Sequence, residues 1–300
     1  MFVQYDITHT TIYSYAKPVT FGEHRVMFRP RDSHDLRVLA TDLLVSPEAH
    51  VRLIQDPYSN SVALVQPQGE ATELKIVCSF TIEHAHSNNL ELPLSPAAEY
   101  FPFAYSVDER FDLEHYLRPH YDDPAGRLTT WARQFMRTDG PTGTRDLLVQ
   151  MNQHIRDEFT YAARDEEGTQ SPLTTLERGS GSCRDFALLM MEAARRLGVA
   201  TRFVSGYLYD PALDTAAENG ESNVVGAGST HAWLQAYLPG AGWVPFDPTN
   251  NLLGGSHLVR VGVARDPKQA APISGSWYGK ADAYLGLKVD VRVTRRTIQP

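Results

Sequence analysis

Along the first ninety or so residues, apolar and polar positions alternate in short runs: YDITHTTIYSYA, EHRVMFRP, LRVLATDLLVSP, HVRLIQD, SVALVQP and ELKIVCSFTIE. A period of two puts successive side chains on opposite faces of a strand. Turn-formers at Lys17-Pro18, Pro30-Arg31-Asp32, Asp56-Pro57 and Ser59-Asn60 separate the runs. The pattern predicts an N-terminal β-sandwich over residues 1–95. Leu74, Ile76, Cys78, Phe80 and Ile82 share one strand face, so Cys78 is expected in the core as a small inert hydrophobe. His84 and His86 also share a face, but with no third ligand nearby they read as a packed or solvated pair rather than a metal site.

From Pro93 the pattern changes. LPLSPAAEYFPFAYS is proline-rich, and DERFDLEHYLR and RLTTWARQFMRT read as short helices, giving a helical connector over 96–140. Residues 141–300 begin with Leu147, Leu148, Met151 and Ile155 at helical spacing. A second helix follows from Cys183, with Phe186, Leu189, Met190, Ala193 and Leu197 on its apolar side and Gly198 at its end. The stretches STHAWLQAYL and WVPFDPTN, joined by PGAG, form a β-hairpin. HLVRVGVARD and LGLKVDVRVTRR, with Val289, Val291 and Val293 facing one way, are expected to close this catalytic-type domain.

Composition narrows the class. The 300-residue chain is 42% hydrophobic and 21% charged, as for a globular protein, and its formal net charge of -8 argues against a nucleic-acid partner. MFVQYDITHTTIYSYA has neither the basic nor the apolar region of a secretory signal, and no run approaches a membrane span, so a cytoplasmic location without membrane contact is expected. Two cysteines in a reducing compartment are expected to be free thiols.

Cys183 is the one placed for chemistry. Ser182-Cys183-Arg184-Asp185 fits a capping box, with Ser182 as N-cap and Asp185 reaching back, so Cys183 takes the first helical position. There the unpaired amides and the positive end of the helix dipole favour the thiolate, and Gly179-Ser180-Gly181 is expected to leave the backbone open to a substrate. A cysteine nucleophile needs a histidine base, and that imidazole is best held by a carboxylate. His231, on the first hairpin strand beside Trp233 and away from the apolar Ala232, Leu234, Ala236 and Leu238, supplies the base; Asp247, ending the second strand, supplies the carboxylate. The two share a face only if the turn has an odd length or the pair carries a bulge. Taken singly, His231 reads equally as a structural histidine and Asp247 as a turn-former before Pro248.

GSGSCRDFALLMMEAARRLGVATRFVSGYLY and THAWLQAYLPGAGWVPFDPTN resemble the catalytic core of the bacterial transglutaminase-like superfamily, whose papain-like members use Cys, His and Asp in this order. TYAARDEEGTQSPLTTLERG is similar to the segment before the cysteine in that family, and the β-rich first part resembles its accompanying N-terminal domain. The resemblance implies an α+β protein: a β-sandwich followed by a papain-like, transglutaminase-like core whose cysteine-bearing helix packs on an antiparallel sheet. It implies Cys183 as nucleophile, His231 as general base and acid, and Asp247 as orienter. Backbone amides near Cys183 would form part of an oxyanion hole, with Gln170 or Tyr161 as a side-chain donor and Ser182 and Trp233 as further oxyanion or substrate contacts. The implied chemistry is attack on an amide or peptide carbonyl and transfer of the acyl group to water or an amine.

Hydrolysis of a peptide or protein amide is favoured over transfer, because water exceeds any amine and no acceptor site is identifiable. Protein-glutamine amine transfer and a non-catalytic binding or assembly module are the alternatives. No calcium-loop pattern, H-E-x-x-H or paired C-x-x-C is present, so no metal or other cofactor is expected. The segment 210–228 carries Asp210, Asp214, Glu218 and Glu221 and no basic residue; it reads as a solvated loop, or as an acidic lid favouring cationic substrates.

Overall fold

Six strands open the chain: β1 (Phe2–Phe21), β2 (His24–Val26), β3 (Leu36–Ser46), β4 (Ala49–Gln55), β5 (Ser61–Pro67) and β6 (Glu70–Ala85). The computed structural model describes residues 2–85, 93–164, 167–211, 228–255 and 257–296. One antiparallel sheet sets β1 beside β6, with β3 beyond it, and the other sheet runs β2, β5, β4. Tyr5, Ile7, Ile76, Phe80 and Ile82 of the first meet Val26, Val62 and Val65 of the second in one apolar cluster. The alternation therefore folds as expected, into a sandwich. Cys78 lies in this cluster, and burial pushes its thiol up to about 12, far from reactivity at neutral pH. His84 is buried, and His86 lies outside the described residues.

The end of the chain returns to this sandwich. Tyr284–Arg295 runs antiparallel to β1, from Tyr5 opposite Arg295 to Tyr15 opposite Tyr284, and Ile273–Ser274 and Trp277–Tyr278 pair with β2 and β1. Residues 273–295 thus correct the assignment of all C-terminal strands to the catalytic-type domain. Alternation in Val289, Val291 and Val293 identifies a strand, but it carries no information about which distant strand completes its hydrogen bonds.

The connector holds α1 (Val107–Asp112), α2 (Glu114–Leu117) and α3 (Arg127–Arg133). The first predicted helix is broken in two at Leu113, its sole buried residue, so no apolar stripe holds it as one unit. Next come α4 (Thr144–Glu158), α5 (Pro172–Arg178) and α6 (Cys183–Arg196), then β7 (Thr201–Leu208), β8 (Thr230–Leu238), β9 (Gly242–Asp247) and β10 (Leu258–Ala264). The core sheet is antiparallel, in the order β9, β8, β7, β10, with Leu252–Leu253 beyond β9.

Helix α6 packs on β7 and β8 and is enclosed by α3, α4 and α5. From Asp185 to Arg195 every residue of α6 is buried. Such a helix must neutralise its polar groups internally. Glu192 takes Arg195 Nη1 at 2.8 Å and Arg196 Nη1 at 3.0 Å, and accepts the amides of His120 and Tyr121, which fastens the connector to the helix.

Sandwich and core share apolar packing, because Tyr207, Tyr209, Val259 and Val261 of the core belong to the sandwich cluster. Asn60 exchanges two hydrogen bonds with the Val263 backbone, and His9 bonds the Tyr207 hydroxyl at 2.9 Å. Burial lowers His9 to about 4, so it serves as a neutral bridge. No helix among the described residues is long and apolar enough to cross a membrane.

Replacing Glu192 by Ala removes the paired carboxylate of the buried Arg195 and leaves it only the more distant Asp266 charge. The expected cost is about 3–5 kcal/mol of stability, read as a lower urea midpoint.

Candidate active site

Helix α6 begins where the sequence places it. Ser182 is the N-cap and the capping box is formed, with the Ser182 amide and hydroxyl both donating to Asp185 Oδ2 at 2.9 Å. Asp185 is fully buried. Its other oxygen accepts the Gln170 amide at 2.7 Å, and Arg164 Nη1 lies 2.9 and 3.0 Å from the two carboxylate oxygens. Burial would raise the Asp185 carboxyl, but the amides of Ser182 and Gln170 and the guanidinium of Arg164 outweigh it and hold it below the ordinary range. An ionised carboxylate two residues from Cys183 would oppose a thiolate, and Arg164 offsets that charge.

The glycines before the cysteine are occupied by folding rather than left open. Gly179, at φ +59°, is the left-handed cap of α5, while Ser180–Gly181 pairs in parallel with Thr160–Tyr161. A Cβ at Gly181 would lie 2.8 Å from that of Asp185, so this glycine lets the capping carboxylate close.

The hairpin meets the register condition. Leu234 opposes Phe246 and Leu238 opposes Gly242, which leaves residues 239–241 as a three-residue turn. His231, Trp233 and Asp247 therefore share a face. The opposite face, Ala232, Leu234, Ala236, Leu238, Val244 and Phe246, joins the cluster beneath α6. His231 Nε2 lies 2.8 Å from Asp247 Oδ2, both side chains being fully buried. Thr249 donates its amide to Asp247 Oδ1 at 3.0 Å and Asn250 its side-chain amide to Oδ2 at 2.9 Å. Asp247 is thus a turn-former and the partner of His231 at once.

His231 Nδ1 is buried without a hydrogen-bond partner, and Cys183 is the neighbour besides Asp247 whose charge and hydrogen-bonding group act on the imidazole. Burial works to lower the His231 pKa. The Asp247 charge and hydrogen bond, with smaller contributions from Cys183, override it and raise the imidazole to about 10. Asp247 is held below the carboxylate range against its own burial, first by the His231 charge.

The remaining candidates divide. Tyr161 is 38% exposed and close enough to Cys183 for the thiol's charge to act on its phenol. Gln170 Nε2 is turned to the Ser180 carbonyl at 3.1 Å and toward Asp185, and its oxygen accepts from Arg178. Both Gln170 donors are engaged under the helix start, which removes it as an oxyanion donor. Trp233 is 1% exposed, and its ring lies 6.0 Å from that of His231 at 25°, a platform rather than a substrate contact. Asp210 is buried, contrary to a solvated acidic loop, while Asp214, Glu218 and Glu221 lie outside the described residues.

Sequence reading missed Arg164, Asn250 and Gly206. The first two were visible only as polar residues near the key positions. Gly206 opposes His231 across β7 and β8, and a Cβ there would lie 2.1 Å from the Val259 carbonyl and 2.8 Å from the Trp233 ring. Among the described residues, no group of three or more His, Cys, Asp or Glu could hold a metal ion.

In Asp247→Asn, only the smaller Cys183 contributions remain against burial, and imidazole NMR titration is expected to show the His231 pKa falling well below about 10. The raised His231 value contributes stability that is complete below the unfolded value of 6.5 and lost toward about 10. The lowered Asp247 value contributes stability present above 3.8 and lost as pH falls. The stability gap between wild type and Asp247→Asn is accordingly widest between these two unfolded values and narrows on either side, as denaturant titrations across pH would read. Gly206→Ala forces backbone and Trp233 apart, at a cost of about 1–3 kcal/mol, with slower alkylation of Cys183 in a timed labelling assay.

The chain matches the Transglutaminase-like superfamily over residues 129–248 and the Bacterial transglutaminase-like N-terminal region over residues 5–83. An uncharacterised protein of Mycobacterium leprae is 27% identical over 95% of this chain and 97% of its own length. An uncharacterised Mycobacterium tuberculosis protein is 26% identical over 96% and 92%. Among solved structures, a candidate cysteine protease from Cytophaga hutchinsonii shares the fold with a TM-score of 0.70 at 18% identity, covering 100% of this chain and 93% of that one. With the two matched regions in this order, residues 129–248 are a transglutaminase-like superfamily core that follows a bacterial transglutaminase-like N-terminal region at residues 5–83.

Proposed function

We propose that the protein is a thiol-dependent enzyme acting on amide bonds, with Cys183 as nucleophile, His231 as proton carrier and Asp247 as its orienter, and that water is the acyl acceptor. The observation that carries this reading is the His231 imidazole: Nε2 is committed to Asp247 at 2.8 Å, Nδ1 is buried without a hydrogen-bond partner, and Cys183 is close enough to act on the ring. That division of the two nitrogens is what a Cys-His pair requires.

In the proposed sequence, the Cys183 thiolate attacks the carbonyl carbon and its electron pair becomes the carbon–sulfur bond. The developing oxyanion is met by the Cys183 backbone N–H, which in the first helical turn has no intrahelical acceptor. The protonated Nδ1 gives its proton to the departing amine as the carbon–nitrogen bond breaks, leaving a thioester. Nδ1 then takes a proton from water, whose oxygen attacks the thioester; the acid departs and thiolate and imidazolium are restored. Tyr161, exposed beside Cys183, would face the substrate.

Alkylation by iodoacetamide at neutral pH is expected to label Cys183, to leave the buried Cys78 untouched and to slow in His231→Ala. An unreactive Cys183 would sink the enzyme reading and favour a binding module. For the acceptor, peptides and a lysate are incubated with the protein and an excess of a labelled primary amine, with Cys183→Ala as control. Cleaved or deamidated products that require Cys183 support hydrolysis, whereas label joined to glutamine would replace it by amine transfer.

A further inference from the structure

A cavity of about 480 Å³ lies where sandwich, connector and core meet, lined by Pro57 and Tyr58, by Glu114, His115, Tyr116, Arg118 and His120, and by Arg265. None of its residues belongs to the machinery around Cys183. Its charge is unbalanced in an informative way. Nearby arginines are matched: Arg25 with Asp56, Arg195 and Arg196 with Glu192. Among the described residues, Arg118 and Arg265 have no carboxylate within ion-pair distance, and Glu114, the one acid of the lining, pairs with neither.

Arg265 instead donates to a neutral ring. Its Nη1 lies 3.3 Å from His120 Nδ1, while His120 Nε2 faces the His115 carbonyl at 3.2 Å. Burial, then the charges of Arg195 and Arg265, keep His120 below its ordinary value. A third unmatched arginine stands behind the wall. Arg202 is 9% exposed, bonds Gln235 Oε1 at 2.9 Å and lies 4.1 Å over the Trp243 ring; that ring meets Tyr116 edge-on at 5.1 Å. Two arginines without counter-charges in the lining of a concave, partly aromatic space, and a third behind it, make a field that an anion would relieve.

We propose that this cavity is an anion-recognition site in which Arg118 and Arg265 hold the oxyanion group, carboxylate or phosphate, of a small organic molecule whose apolar body lies against Tyr58 and Tyr116. Guanidinium groups suit either oxyanion through paired N–H donors, and the volume fits a ligand of that size. The site stands whether or not Cys183 turns over a substrate.

The test is isothermal titration of the full chain with benzoate, phenyl phosphate and inorganic phosphate at constant ionic strength. Saturable binding of benzoate, phenyl phosphate or both is expected, tighter than inorganic phosphate, and weakened about tenfold or more in Arg118→Gln and in Arg265→Gln. Arg133→Gln, an exposed charge on α3, is the control and should bind as wild type. Benzoate alone would identify a carboxylate ligand and phenyl phosphate alone a phosphate. Arg118 is exposed, so its replacement does not endanger folding, and thermal melting checks Arg265→Gln. No saturable binding, or undiminished binding in both variants, would overturn the site, and equal affinity for phenyl and inorganic phosphate would overturn the part given to the tyrosines.

Discussion

Helix α6 has almost no solvent face, and most of the molecule is arranged around that constraint. Apolar side chains along it meet the inner face of the β7–β8–β9 sheet, and α3, α4 and α5 close the remaining sides. A buried helix must satisfy its ends and its charges within the protein. At the far end this is done by Glu192 with two arginines and two connector amides. At the near end it is done by Asp185, and the same arrangement sets the backbone of Cys183.

The two ends of the site are therefore held by different physics. Cys183 is positioned by local chain geometry, through a cap three residues long and a carboxylate fixed by Arg164 and Gln170. His231 and Asp247 are positioned by sheet register and held by a buried ion pair that must compensate its own desolvation. Trp233 beneath His231 and the bare backbone of Gly206 opposite it leave the ring a single place. The sandwich contributes by packing: its core runs into Tyr207, Tyr209, Val259 and Val261, and Tyr207 lies one position beyond the glycine that faces His231.

The chain by itself determined much of this. Alternation and helical spacing identified the sandwich strands, the α6 start, the hairpin and the inert character of Cys78, because each depends on side chains within a few residues of one another. The odd turn length was also forced in advance, since His231 and Asp247 can share a face in no other way without a bulge. Tertiary structure alone decided what depends on distant partners. It assigned Tyr284–Arg295 to β1, because a strand's hydrogen-bonding groups accept any suitable edge. It turned Gln170 toward Ser180 and Asp185, since an amide side chain carries no sign of whom it will bond. It gathered Arg118 and Arg265 around one cavity from separate parts of the chain, with Arg202 behind it over Trp243, because a charge field follows positions in space and has no periodicity along the sequence.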